Sequence, residues 1–345
     1  MPSIITPAKH LLKKQLQTIA ARYGRHTRSP SRPELILLMY HRVLPPDDLR
    51  ASAEEPGMIV TPDTFRLHMS IIKSLFEPIH LSRWLELKDK GEQLPLRSCA
   101  ITFDDGWADN YEFAFPILQE LEIPATIFLV SDMIGSNLKF WPERLTRILT
   151  QIAEHKPGQW SHPSLDWIKQ SDSSYSFMAT APSPEQLSEI IAGVKSYGDA
   201  DIHRRLDLIE DKLQLSLQDT PASLLNWQQV KTMCESGLIE AGSHTCHHTR
   251  LTANLDESQL CNEIINSKAT IEKQAGITVK TFCYPNGDYC KRAAAIVAQN
   301  YSGAVTTENG WNTSSSNNYK LQRIGVHEDI ANDRTSFLAR VSGWL

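Results

Sequence analysis

The sequence is short of several features that would each have named a class of protein. No apolar run approaches the roughly 18 residues that a membrane-crossing helix needs. The first residues lack the apolar core of a secretory signal, so the expected compartment is the cytoplasm. The six cysteines, Cys99, Cys234, Cys246, Cys261, Cys283 and Cys290, include no C-x-x-C pair. That argues against a disulfide framework and against a cysteine-only zinc knuckle. A formal net charge of -5 offers no general footprint for nucleic acid, and none is expected as a partner. Acid is missing altogether from residues 1–32, where the first carboxylate to appear is Glu34.

What is present is ordinary for a soluble globular chain: 345 residues, 41% hydrophobic and 22% charged. That length holds one large α/β domain or two smaller ones. The acid-free stretch carries Lys9, Lys13, Lys14, Arg22, Arg25, Arg28 and Arg32, with Leu12, Leu16, Ile19 and Tyr23 recurring at helical spacing. Residues 1–33 therefore read as a basic helix and tail. Such a helix can rest on an anionic membrane face, here the inner one, as a peripheral contact. The alternative is a helix docked on the rest of the fold.

From Glu34 onward, strand-like and helix-like segments alternate, the mark of parallel βα units. Runs at Glu34–Tyr40, Ser98–Phe103, Ala125–Val130, Leu238–Ala241 and Val279–Tyr284 read as strands, with others near Ala304 and over Leu321–Val326. Thr61 and Pro62 open a helix as cap and first residue. The main α/β body is expected over 34–345, interrupted at about 136–225 by an insertion rich in Ser, Asp and Pro. Trp160, Trp167, Tyr175 and Phe177 could stack on sugars there, or form the insertion's own small core.

Four segments carry chemistry. In Thr102-Phe103-Asp104-Asp105-Gly106, two carboxylates follow a strand, where parallel βα folds gather their active sites. One can bind a cation while its neighbour, pointing elsewhere, stays free as a base. In Gly242-Ser243-His244-Thr245-Cys246-His247-His248, a helical turn would put His244 and His248 on one face and turn Cys246 and His247 away. Imidazole and carboxylate suit zinc. The turn Phe282-Cys283-Tyr284-Pro285-Asn286-Gly287 can aim a backbone N–H at an oxyanion. His41, in Met39-Tyr40-His41-Arg42-Val43, ends an apolar strand and would face the same mouth as a proton donor.

Together these segments resemble the polysaccharide deacetylase family (NodB-type, carbohydrate esterase family 4), in the variant with an N-terminal M-Y-H-R-V. Further similarity lies in Ala108-Asp109-Asn110-Tyr111 and in Ile123-Pro124-Ala125-Thr126-Ile127-Phe128, so that about 34–135 and 226–330 are covered. The resemblance implies a distorted (β/α) barrel, interrupted here by the long insertion. It implies a divalent metal, zinc by default, on Asp105, His244 and His248, with Asp104 as base and the Tyr284 N–H on the oxyanion. Cys283 stands where the family usually has an Arg that steadies the base, and Arg323 is the candidate replacement. His41 is the candidate general acid and His327 its rival.

The implied function is metal-dependent removal of an N-acetyl group from a sugar in a polysaccharide or glycan precursor, giving acetate and a free amino sugar. An alternative is a deformylase or deacetylase of a lipid-linked or nucleotide-linked sugar. A third reading, an inactive sugar-binding module, is disfavoured because both Asp and both metal His are present.

Overall fold

Seven strands form the framework: β1 Glu34–Tyr40, β2 Arg97–Phe103, β3 Ala125–Leu129, β4 Ile239–Ser243, β5 Thr281–Cys283, β6 Gly303–Val305 and β7 Ile324–Gly325. They are seen in a computed structural model that describes residues 7–54, 57–170, 181–215 and 223–344. Strands β1 to β6 lie side by side in chain order, each parallel to the next. Leu321 then makes a parallel bridge to Val305 of β6, while β7 pairs in parallel with Leu38 and Met39 of β1. The short segment 321–325 thus joins the two flanks of the curled sheet. This is the distorted (β/α) barrel expected from the sequence.

The chain folds this way because both faces of each strand are apolar, as parallel strands buried on two sides require. Side chains alternate along a strand, so residue parity decides the face. Leu35 and Leu37 of β1, Ala100 of β2, Phe128 of β3, Cys283 of β5 and Val305 of β6 share one buried cluster inside the curl. Leu81, Trp84 and Leu85 join them from the helix Leu81–Asp89, an element the sequence pattern did not announce. The opposite parity (Ile36, Leu38 and Tyr40 of β1) packs outward against Phe65 and Met69. Those two belong to the helix Pro62–Leu75, whose Thr61 hydroxyl accepts from the Thr64 N–H with Pro62 behind it, as expected.

The chain divides into two compact units, one of Met1–Pro45, Ile59–Gly135 and Leu224–Leu345, the other of Pro46–Met58 and Ser136–Ser223. The insertion therefore owns a core instead of being a loose excursion. Leu145, Ile148, Leu149 and Ile152 line one face of the helix Trp141–His155 and pack with Ile191 and Leu206 from neighbouring helices. Trp160 and Trp167 are buried in that core, which removes them as sugar-stacking surfaces. Tyr175 and Phe177 lie outside the described residues.

One inner position tolerates no side chain. A Cβ on Gly242 would sit 2.4 Å from Cδ1 of Phe128 across the β3–β4 pair. Gly242→Ala is expected to lower stability by about 1–3 kcal/mol through overpacking. Phe128→Leu in the Gly242→Ala background should recover part of that loss in urea melts. A double variant no more stable than the single one would show that the ring is not the obstacle.

Candidate active site

Parity and the ladder together deliver the site residues. Asp104 follows β2 with the parity of Ala100 and Thr102, and its N–H is held by the Tyr40 carbonyl at 3.0 Å. His244 follows β4, with its N–H on the Leu129 carbonyl at 2.9 Å. Both side chains are therefore fixed at the C-terminal rim, on the inner face of the curl, before any side-chain bond forms.

Asp105 takes a left-handed backbone, φ 75°, with Gly106 at φ 82° behind it. This reversal turns its carboxylate away from that of Asp104. Oδ2 accepts from the Trp107 indole N–H at 3.0 Å. Oδ1 is buried and accepts no hydrogen bond. It lies 3.5 Å from His244 Nε2 and 3.4 Å from His248 Nε2. His244 Nδ1 stands 2.8 Å from the Cys283 carbonyl, which can only accept, so the proton sits on Nδ1 and the Nε2 lone pair faces Asp105. Burial lowers the His244 imidazole to about 3 and raises the Asp105 carboxyl to about 6.

An orphaned carboxylate oxygen facing two imidazole nitrogens, at least one of them neutral and aimed inward, is a donor set waiting for a cation. The residues fit a divalent metal with two nitrogen ligands and one oxygen ligand.

The convergence of His244 and His248 does not use the helical turn expected from their spacing. Thr245 and His248 have φ of 68° and 60°, so the segment is a tight irregular loop. It brings the two rings to 4.9 Å centroid separation at 71°. Cys246 and His247 do turn away, for a reason that lies elsewhere in the chain. Glu263 accepts from the N–H groups of Cys246 (2.9 Å) and His247 (3.1 Å) with one oxygen and lies 2.9 Å from His247 Nδ1 with the other. Burial pushes the Cys246 thiol up to about 12, and it donates to the Asn262 carbonyl.

Asp104 is held by Arg323, whose Nη1 and Nη2 donate to the two carboxylate oxygens at 2.6 and 2.8 Å. The guanidinium is fully buried, and it also donates to the Thr306 carbonyl, the Thr102 hydroxyl and the Cys283 sulfur. Burial alone would raise the Asp104 carboxyl. The Arg323 charge and its paired hydrogen bonds outweigh this and hold it well below the usual carboxylate range. Arg323 lies in the 321–325 segment, between the residue that bridges β6 and the strand that pairs with β1. Cys283 is small enough to leave it room, and its sulfur accepts from it.

His41 Nε2 lies 3.9 Å from Asp104 Oδ2, and the side chain is half-buried. His327, two residues beyond β7, has its Nδ1 3.3 Å from Asp329. The expectation for Tyr284 needs correction. Its N–H donates to the Val305 carbonyl at 3.2 Å, in the ladder between β5 and β6, so it is committed to the sheet. Its ring is buried against Tyr289 and Phe282. Two residues on, Asn286 adopts φ 58° and ψ 2° between Pro285 and Gly287, and its amide carries no ladder bond.

Several supporting residues were not read from the sequence. Arg42 pairs with Asp109 at 2.9 Å and lies 4.2 Å over the Trp107 ring. Asp109 also accepts from the Val43 N–H, and the Asn110 amide donates to the His41 carbonyl at 2.9 Å. The signal was available: Asp109 and Asn110 stand five and six residues after Asp104, in the Ala108–Tyr111 stretch that is similar to the family. Glu263 gave no such signal, standing alone in a polar helix far downstream of the loop it holds.

These observations can be set beside known proteins. The sequence profile of the family described as polysaccharide deacetylase matches residues 91–196 and 203–302, more than half of the chain. The protein YxkH of Bacillus subtilis (strain 168) is 24% identical over 229 residues, 65% of this chain and 74% of that one. The poly-beta-1,6-N-acetyl-D-glucosamine N-deacetylase of Staphylococcus epidermidis is 35% identical over 110 residues, 30% of this chain and 38% of that one. This chain therefore matches well under half of that relative's length. The deacetylase PplD of Streptococcus pyogenes, solved with acetate, superposes with a TM-score of 0.57 at 18% identity, covering 88% of this chain and 97% of that one. IcaB from Ammonifex degensii gives 0.55 at 16%, covering 90% and 98%. At these identities the two structures speak for the fold. The profile match extends over β2 to β5, which carry Asp104, Asp105, His244 and His248, and by it the chain belongs to the polysaccharide deacetylase family.

Proposed function

We propose that this chain is a metal-dependent carbohydrate N-deacetylase, hydrolysing the N-acetyl group of a sugar in a polysaccharide or glycan precursor. The observation that carries the reading is the unsatisfied Oδ1 of Asp105 between two imidazole nitrogens, beside a second carboxylate that Arg323 keeps charged. The substrate class is taken from the Staphylococcus epidermidis relative, whose name specifies an N-acetylglucosamine polymer.

Asp105, His244 and His248 would hold the cation, with zinc favoured by the ligand types. A divalent ion bound there supplies Lewis acidity to the acetamide carbonyl and makes water acidic near neutral pH. Asp104 receives the proton of the attacking water. The Arg323 pair keeps it anionic through the neutral range, so it is always in the accepting form. His41, within reach of Asp104 Oδ2, gives the departing sugar amine its proton. With the Tyr284 amide engaged in the sheet, the Asn286 amide is the candidate donor from this turn to the oxyanion. The products are acetate and an amino sugar.

The reading is tested by metal analysis of the purified protein together with acetate release from a panel of N-acetylated sugars, free and carrier-linked. Asp104→Asn is expected to keep its metal and lose turnover by about 10²–10⁴-fold, whereas His244→Ala loses both. Near-normal turnover of Asp104→Asn would remove the base assignment.

Arg323→Ala strips a buried carboxylate of its partner and should cost about 3–5 kcal/mol of stability along with most activity. Cys283→Arg in that background returns a guanidinium to the same space from β5, and some activity should come back. A double variant as dead as the single one would argue that the strand of origin matters.

Glu263→Ala should weaken metal binding by about 10–100-fold in chelator competition, with Glu263→Gln intermediate because it can still accept from the two amides. Unchanged metal affinity in Glu263→Ala would mean that the loop keeps its shape without the clamp.

A further inference from the structure

Large apolar side chains that face solvent are gathered unevenly. Among the described residues, Leu11, Leu12, Leu16, Ile19 and Tyr23 are all exposed on the single helix Pro7–Tyr23, whereas Leu96, Leu138 and Leu208 are isolated cases. Leu12, Leu16, Ile19 and Tyr23 recur at helical spacing and form a continuous row. Exposed Lys13, Lys14 and Arg22 lie on the same helix, and no acid precedes Glu34.

The helix is nevertheless fixed to the fold. Ala20 is buried, and the Arg25 N–H donates to the Ser342 carbonyl at 2.8 Å. A groove of about 370 Å³ runs between Leu12 and Leu16 on one side and Ile330 and Ala339 on the other. Trp344 is exposed beside the same end, with the Arg28 guanidinium 5.7 Å from its ring. A docked helix has thus kept one apolar row outside the core it helps to build.

We propose that this row, with the cations of its helix and the exposed rings of Tyr23 and Trp344, is a docking surface for an anionic lipid bilayer. Charge complementarity selects the partner: the helix itself bears cations and no acid, with Asp333 of the neighbouring C-terminal helix standing near Lys14, and leucines seated between the cations gain by entering the acyl boundary. Tyr and Trp at one end suit the headgroup level, where amphipathic rings collect. No described helix is long and apolar enough to cross a membrane, so the contact is one of lying on the surface. The surface stands apart from the residues given catalytic roles, and the inference is independent of them. Its consequence is a body held against the bilayer.

The test is co-sedimentation of the full chain with phosphatidylcholine vesicles, with and without phosphatidylglycerol. Binding is expected only with the anionic lipid and should weaken as salt rises. Lys13→Glu/Lys14→Glu should bind about tenfold more weakly or worse, and Leu12→Glu/Leu16→Glu should not bind. Both variants are checked by thermal melting and by acetate release from a soluble substrate, which should stay at the level of the parent. Equal binding to neutral vesicles, no binding by the parent chain, or unaltered binding by well-folded variants would each overturn the proposal. So would light scattering that shows a dimer dissolved by Leu12→Glu/Leu16→Glu, because a second copy would then cover the row.

Discussion

The site depends on a buried ion pair in which one guanidinium satisfies both oxygens of one carboxylate. Arg323 is fully buried, and a cation there is tolerable only because Asp104, the Thr306 carbonyl, the Thr102 hydroxyl and the Cys283 sulfur take up its donors. Its backbone belongs to the segment that ties β6 to β1. Closure of the curled sheet and ionisation of the proposed base are therefore one structural event. A carboxylate buried without that partner would take up a proton and could no longer accept one.

Around this pair the loops are held in conformations that a free chain would avoid. Asp105, Thr245, His248 and Asn286 all have positive φ, and all lie on the rim loops of the site. Such strain persists only where the surroundings over-determine it. Two π-helical segments provide much of that constraint. Asn110, at the head of Asn110–Ala114, holds the His41 carbonyl, and Glu263, in Asn262–Asn266, holds the loop between the two imidazoles. The wider π turn shifts side chains relative to a regular helix, which lets a helix residue reach a loop that an α-helical register would miss.

The support of His41 links the first strand to the second. Arg42 stacks over Trp107, Trp107 donates to Asp105, and Asp109 accepts from both Arg42 and the Val43 amide. The outer oxygen of Asp105 is thus occupied by the indole while the inner one is left open. The two halves of the site, a carboxylate with a metal-type pocket and a carboxylate with an arginine, share one wall without sharing oxygens.

The sequence by itself determined the strand framework and the adjacency of Asp104 and Asp105, because continuous apolar runs and a Gly after paired acids are local properties. Arg323 was brought forward by the family resemblance, since Cys283 stands where the family usually has an Arg. The helix Leu81–Asp89 escaped that reading because its apolar residues, Leu81, Trp84 and Leu85, answer to the inside of a curl that only closure creates. Spacing suggested a helical turn for His244 and His248, yet backbone signs at Thr245 and His248, set by Glu263 from far downstream, made it a loop. The resemblance offered the Tyr284 amide to the oxyanion, and β6, the next strand in the chain, took it, because strand pairing is decided between segments that a local turn pattern does not reveal. Local chemistry chose the reactive groups; which of their atoms stay unsatisfied was settled by distant partners, through hydrogen bonds that exist only once the sheet has curled.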